Sequence, residues 1–243
     1  MTDFALTEEQ RQWLFGLSSP MVAINVDAEA SYLEPAMWPD HKTPEFLALE
    51  DSWGISNRDD LLSAVAQMTD DGHATSIPTD YWRWPQQTPS ERARARACPD
   101  PEPQHLLETF VDRTAVLTGQ GGIRAWDLAR MGFLLRSGYF LSYLDEAEML
   151  HLHLQLALRA RYWYQSWDQY LAGFLCGRLL WRTLNCDSAD EVAELLLGNA
   201  AQEWLEPLFR ELNTAFTNPA NSLPWDLELP HSERPDSLPE MLT

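Results

Sequence analysis

A short polar cap followed three residues later by an acceptor recurs along this chain, and that repetition restricts its fold more than any other feature. Thr7 with Gln10, Ser56 with Asp59, Asp145 with Glu148, Ser166 with Gln169 and Ser188 with Glu191 all show it. Such a pair satisfies the first free amides of a helix from both sides. Thr43-Pro44 adds a cap with proline at the first helical position. Each signal precedes apolar residues at helical spacing, which predicts nine helices near 8–17, 44–52, 57–70, 104–118, 123–137, 146–164, 167–184, 189–198 and 200–214. No segment sustains period-two alternation with β-branched residues. The expected fold is mainly α, a single helical domain of eight or nine helices over 1–217.

Two stretches break the pattern. Residues 74–103 carry six prolines and the basic run Arg92, Arg94, Arg96, and read as a long Pro-rich loop. Residues 218–243 hold five prolines, show no periodicity, and are expected to lie extended on the surface or disordered.

Within the 123–137 helix, Asp127 and Arg130 project into the same arc as Trp126, Phe133 and Leu134. Arg178 falls in the middle of the aromatic stripe Trp167, Leu171, Phe174, Trp181. An unpaired interior charge costs roughly 3–5 kcal/mol when its partner is missing, so a shared cluster of Asp127, Arg130 and Arg178 is expected. It reads as a structural polar staple, or alternatively as a site for an anionic substrate. Gly173 and Gly177, four apart on the 167–184 helix, predict a close crossing with another backbone.

The run Trp126-Asp127-x-x-Arg130, Arg136-x-Gly138-Tyr139, Asp145-Glu146-x-Glu148, Ser166-Trp167 and Gly177-Arg178-x-x-Trp181 resembles the bacterial "domain of unknown function 1266" family over about 45–185. Trp53-Gly54-Ile55-Ser56 and Gly72-His73 fit its lead-in. Ser142 stands where that family commonly has a glycine, and Met149 where it has alanine. The resemblance implies a helical bacterial cytoplasmic protein and supplies no catalytic residue.

Catalytic signatures are lacking in the residues themselves. Glu148-x-x-His151 and Glu102-x-x-His105 have the spacing used in di-iron bundles, but Glu102 sits between prolines, and ordinary helix faces reproduce the motif. Glu148, His151, Gln155, Arg159 and Tyr162 form one polar stripe, expected to be solvated or at an interface. There is no G-x-S-x-G elbow, phosphate loop or dinucleotide fingerprint. Cys98, Cys176 and Cys186 make no CxxC pair, and Cys176 reads as a structural thiol. No metal or cofactor is expected.

Charge is the remaining guide. Acidic side chains number 37 against 17 basic, a formal −20, and all basic residues but Lys42 are arginine. Such a field repels nucleic acid and anionic lipid and attracts basic proteins. No window reaches the ~18 apolar residues of a membrane span, and the acidic N-terminus lacks a signal-peptide pattern. Tyr81-Trp82-Arg83-Trp84, between prolines, is the candidate binding surface, with the residue types of protein hot spots; alternatively these rings plug the loop onto the helical body. The chain is thus expected to be a non-enzymatic, cytoplasmic, acidic protein that binds a basic protein, as an inhibitor or immunity protein facing a toxin or effector. The other expectations are an enzyme using Asp127, Arg130 and Arg178, and an accessory to chaperone or secretion machinery.

Overall fold

The computed structural model describes residues 6–47, 49–72, 78–96 and 103–240. Among these there are twelve α-helices and no strand. In chain order they begin with α1 (Glu8–Gly16), α2 (Ser19–Ile24), α3 (Leu49–Trp53) and α4 (Arg58–Asp71). Next come α5 (Pro78–Arg83), α6 (Pro89–Arg96), α7 (Pro103–Thr118) and α8 (Arg124–Phe140). The series ends with α9 (Glu146–Trp163), α10 (Trp167–Thr183), α11 (Ala189–Leu197) and α12 (Ala200–Thr214).

The mainly α fold stands. The helices beyond the expected nine are α2, α5 and α6, of six, six and eight residues, too short to show a repeating apolar face. α5 and α6 lie inside 74–103, so its described part carries two short helices where a loop was expected. Thr88 explains α6: it accepts from the Glu91 amide (3.3 Å), and Glu91 accepts from the Thr88 amide (2.7 Å), a capping box placed just before Pro89. Residues 74–77 and 97–102, with Cys98 and Glu102, lie outside the described residues.

Most of the expected caps fall in place. Thr7 and Gln10 close a full box on α1, Asp145 and Glu148 exchange amide bonds of 2.9 and 3.0 Å at α9, and Ser166 and Ser188 cap α10 and α11. The cap of α4 shifts by one residue: Asn57 accepts from the Asp60 amide, and Asp60 accepts from Ser56 and Asn57. The expected 44–52 helix divides into a 3₁₀ turn, Pro44–Leu47, and α3.

Contacts gather the chain into two compact units. The first comprises 1–72, 128–162 and 211–243. Its core includes Trp13, Leu14, Phe15, Leu61, Leu134 and Met149. Arg136 is fully buried in it, donating to Ser18 Oγ (2.8 Å), Ser31 O (2.6 Å) and Glu34 O (2.5 Å), with its guanidinium 4.9 Å from the Phe15 ring. Burial lowers its pKa to about 9, against the opposing pull of Glu34.

The C-terminal residues belong to this first unit as an extended strap. Trp13 Nε1 donates to Pro224 O (3.0 Å), Gln10 Nε2 to Glu228 O (2.9 Å), Arg161 to Leu227 O and Arg58 to Ser237 O (3.0 Å). His151 Nδ1 meets Ser232 Oγ at 2.7 Å, and Leu238 is buried. This corrects one end of the stripe on α9 that was expected to be solvated or at an interface: Glu148 and His151 are buried, while Tyr162 at the other end is exposed. Arg58 holds Glu148 through two bonds of 2.6 and 2.7 Å.

The second unit comprises 73–127 and 163–210. Here the glycines of α10 do what their spacing predicts. A Cβ on Gly177 would stand 2.4 Å from Trp126 Cβ, and one on Gly173 would stand 2.6 Å from Gly122 O. Tyr164 locks the same place, donating to Gly122 O (3.0 Å) and accepting from the Ala125 amide (2.8 Å).

Candidate functional site

The Tyr81–Trp84 segment forms the end of α5 and the start of a 3₁₀ turn, Trp84–Gln86, in the second unit. A short helix has successive side chains about 100° apart, so four neighbouring residues cannot all face one way. Tyr81 points inward: it is 2% exposed, and its hydroxyl meets Thr114 Oγ1 of α7 at 2.7 Å. Burial raises its pKa well above the ordinary phenol value. Gly122 must be glycine beneath it, because its φ is +53° and a Cβ would meet the Tyr81 ring at 2.5 Å.

Trp84 is half-buried and tied at its edge and at one face. Its Nε1 donates to Asp112 Oδ1 (3.0 Å), and the Arg92 guanidinium lies 4.5 Å from its ring. Arg92 also pairs with Asp112 at 3.5 Å, so α6 is fastened to α7 through the indole. Trp82, 51% exposed, and Arg83 face outward. The two readings of this segment therefore divide by residue: Tyr81 and Trp84 are plugs, and Trp82 and Arg83 present themselves to solvent.

A groove of about 80 Å³ opens beside them, lined by Asp80, Arg83, Trp84, Arg92, Glu108 and Asp112 among others. Three carboxylates against two guanidiniums give it a net negative lining. Burial raises the Asp80 pKa, with Arg83 opposing and Glu108 adding to the rise. Asp80, Glu108 and Asp112 were not singled out in the sequence. Their signal was faint: Glu108 and Asp112 lie four apart on α7, which puts both on one helix face.

The other sequence candidates sit elsewhere. Asp127 is buried at 4% exposure. Arg130 lies 4.7 Å over the Trp53 ring, and Arg178 lies 4.8 Å over Trp204. Arg178 has neither a hydrogen bond nor an ion pair among the described residues, so it does not share Asp127 as expected. Cys176 is buried and its thiol is pushed up to about 12 by burial, against a hydrogen bond from Thr114, which leaves it protonated and unreactive at neutral pH. Among the described residues, no group of three or more His, Cys, Asp or Glu is arranged to hold a metal, and no helix is long and apolar enough to cross a membrane.

Comparison with known proteins places this geometry in a lineage. The family model described as "Protein of unknown function (DUF1266)" matches residues 48–225. The chain is 35% identical over 236 residues to "Uncharacterized protein YbeU" of Escherichia coli (strain K12), covering 97% of this chain and 99% of that protein. It is 34% identical over 233 residues to "Uncharacterized protein YbeR" of the same organism, covering 96% and 97%. No solved structure matches.

Proposed function

The chain belongs to the bacterial DUF1266 family, and from that premise we propose that it is a non-enzymatic, intracellular binding protein whose partner is a basic protein. The observation that carries this reading is the split of α5. Tyr81 and Trp84 fix the helix to α7, and the fixed helix holds Trp82 and Arg83 out beside a groove with Asp80, Glu108 and Asp112 on its wall. A rigidly mounted tryptophan loses little freedom when it is covered, and Trp and Arg supply most hot-spot energy at interfaces. The −20 charge steers a basic partner toward such a surface and raises its association rate. An inhibitor or immunity protein set against a basic toxin or effector is the form that uses both properties. A chaperone or secretion accessory would use the same surface.

The enzymatic reading gains nothing from the geometry. A general base must reach the proton it removes, and Asp127 is 4% exposed.

The test is titration of the purified product of the adjacent gene against the wild-type chain and Trp82→Ala, at about 50 mM and about 500 mM NaCl. Binding is expected to weaken at least about ten-fold in Trp82→Ala and to fall with salt. Equal affinity in the variant, or salt-insensitive binding, would sink the assignment of this surface; no complex at all would sink the inhibitor form.

A further inference from the structure

Arg178 and Arg182 stand one turn apart toward the C-terminal end of α10, and both rest on one indole: their guanidinium carbons lie 4.8 and 5.3 Å from the Trp204 ring. Neither has a hydrogen-bond or ion-pair partner among the described residues. Arg124, 4.1 Å over the Trp163 ring, is held in the same way, but by a ring of its own. Arg11, Arg58, Arg92 and Arg210 pair with carboxylates, and Arg113, Arg136 and Arg161 donate to backbone carbonyls.

The local fold explains only part of the arrangement. Arg182, in the last turn, gains from the negative end of the helix dipole. Arg178 is a turn further in and half-buried, where that gain has faded. Two cations four residues apart on a helix repel one another, and cation–π contact with one shared ring offsets this only in part. Among the described residues no carboxylate pairs with either of them. Trp204 packs against the buried cluster of its unit that includes Ile123 and Leu179, so the platform is fixed. Trp181, 36% exposed, lies on the same face of α10.

Two guanidinium forks on a rigid aromatic platform, uncompensated, match an oxyanion that carries two charges and several acceptor oxygens. We propose that Arg178 and Arg182, seated on Trp204, form a binding site for the phosphoryl group of a small molecule. The ligand is small because the field of the whole chain repels a polyanion. The phosphoryl group is favoured because its charge of about −2 equals that of the pair in magnitude. The site is separate from Trp82 and Arg83 and does not depend on their role.

The full chain is titrated with inorganic phosphate and with phenyl phosphate, ionic strength being held constant with NaCl and tryptophan fluorescence read. Saturable binding is expected at about 1 mM or below, with phenyl phosphate the tighter ligand because its ring can lie against the exposed part of Trp181. Arg182→Gln should weaken it at least about ten-fold and Arg182→Lys less. Arg182 is exposed, so its variants keep the fold, and a melting temperature without ligand that matches or exceeds the wild type verifies this. Unchanged affinity in Arg182→Gln overturns the site. Succinate binding as tightly as phosphate overturns the phosphoryl assignment, and a response reproduced by chloride alone overturns both.

Discussion

A guanidinium out of reach of water must find acceptors, and Arg136 finds them in backbone carbonyls at Ser31 and Glu34 and in the Ser18 hydroxyl. Its removal takes a charged donor from Ser31 O and the Ser18 hydroxyl, at about 1–3 kcal/mol each, while Glu34 O keeps the Met37 amide, and it opens a void. Arg136→Met should therefore lose on the order of 3–5 kcal/mol, with Arg136→Lys intermediate, as read by urea unfolding. The sequence showed Arg136 only as a charge interrupting an apolar run, because its partners lie more than 100 residues away. His153 makes a second test at this scale. It is fully buried, with Nδ1 at 2.9 Å from Met149 O. Burial lowers its pKa from 6.5 to about 4, with the Met149 bond opposing and Arg136 adding. The unfolded chain therefore takes up a proton before the folded one does, so stability is full above pH 6.5 and is lost as pH falls toward 4, by on the order of 3 kcal/mol. His153→Gln should flatten that slope. An unchanged slope would mean that other groups, His151 first, carry it; burial lowers the His151 pKa as well. Glu148 acts lower: burial raises its pKa, yet Arg58 and the helix start hold it at about 2, so its contribution is lost only as pH drops from 4.5 through 2.

Helix ends were the most legible elements, because a cap is a local bargain among four residues. Thr7, Asp145, Ser166 and Ser188 needed no knowledge of the fold. The Thr88–Glu91 box carries the same signature, but α6, PSERARAR, has no apolar face behind it to mark a helix. The end of α8 joins sequence to structure in another way. Ser142 has a φ of +59°, and the amides of Ser142 and Tyr143 return to Tyr139 O (3.0 Å) and Gly138 O (2.8 Å), the left-handed closure at which glycine is favoured. The family resemblance placed a glycine here, and the backbone explains the preference. Ser142→Gly should raise stability by about 1 kcal/mol, or about 2–4 °C in Tm. A lower Tm would show that the serine side chain contributes more than its backbone strain costs. On α10 the sign reverses. Gly177→Ala sets a methyl 2.4 Å from Trp126 Cβ, an atom too close to the backbone to yield, and should cost about 1–3 kcal/mol.

At the scale of the whole molecule, what the sequence concealed was which surface the C-terminal residues cover. The strap meets α9 through His151 and Ser232, 81 residues apart, and no local pattern can announce a pairing of that span. It buries the Glu148–His151 end of an apparent polar face. Charge, by contrast, can be read directly once the units are known. The first unit holds 23 Asp and Glu against 8 Lys and Arg, the second 14 against 9, so −15 of the −20 falls in the first. Self-repulsion of that size acts over a Debye length of about 30 Å at 0.01 M salt and about 10 Å at 0.1 M. Raising NaCl from about 10 mM to about 500 mM should therefore raise the Tm of the free chain. A Tm that falls with salt would mean that pairs such as Arg11–Glu146 outweigh the repulsion. The same salt is expected to weaken binding of a basic partner. Stability and association should thus move in opposite directions along one titration, which separates a screened surface from a chain that simply unfolds.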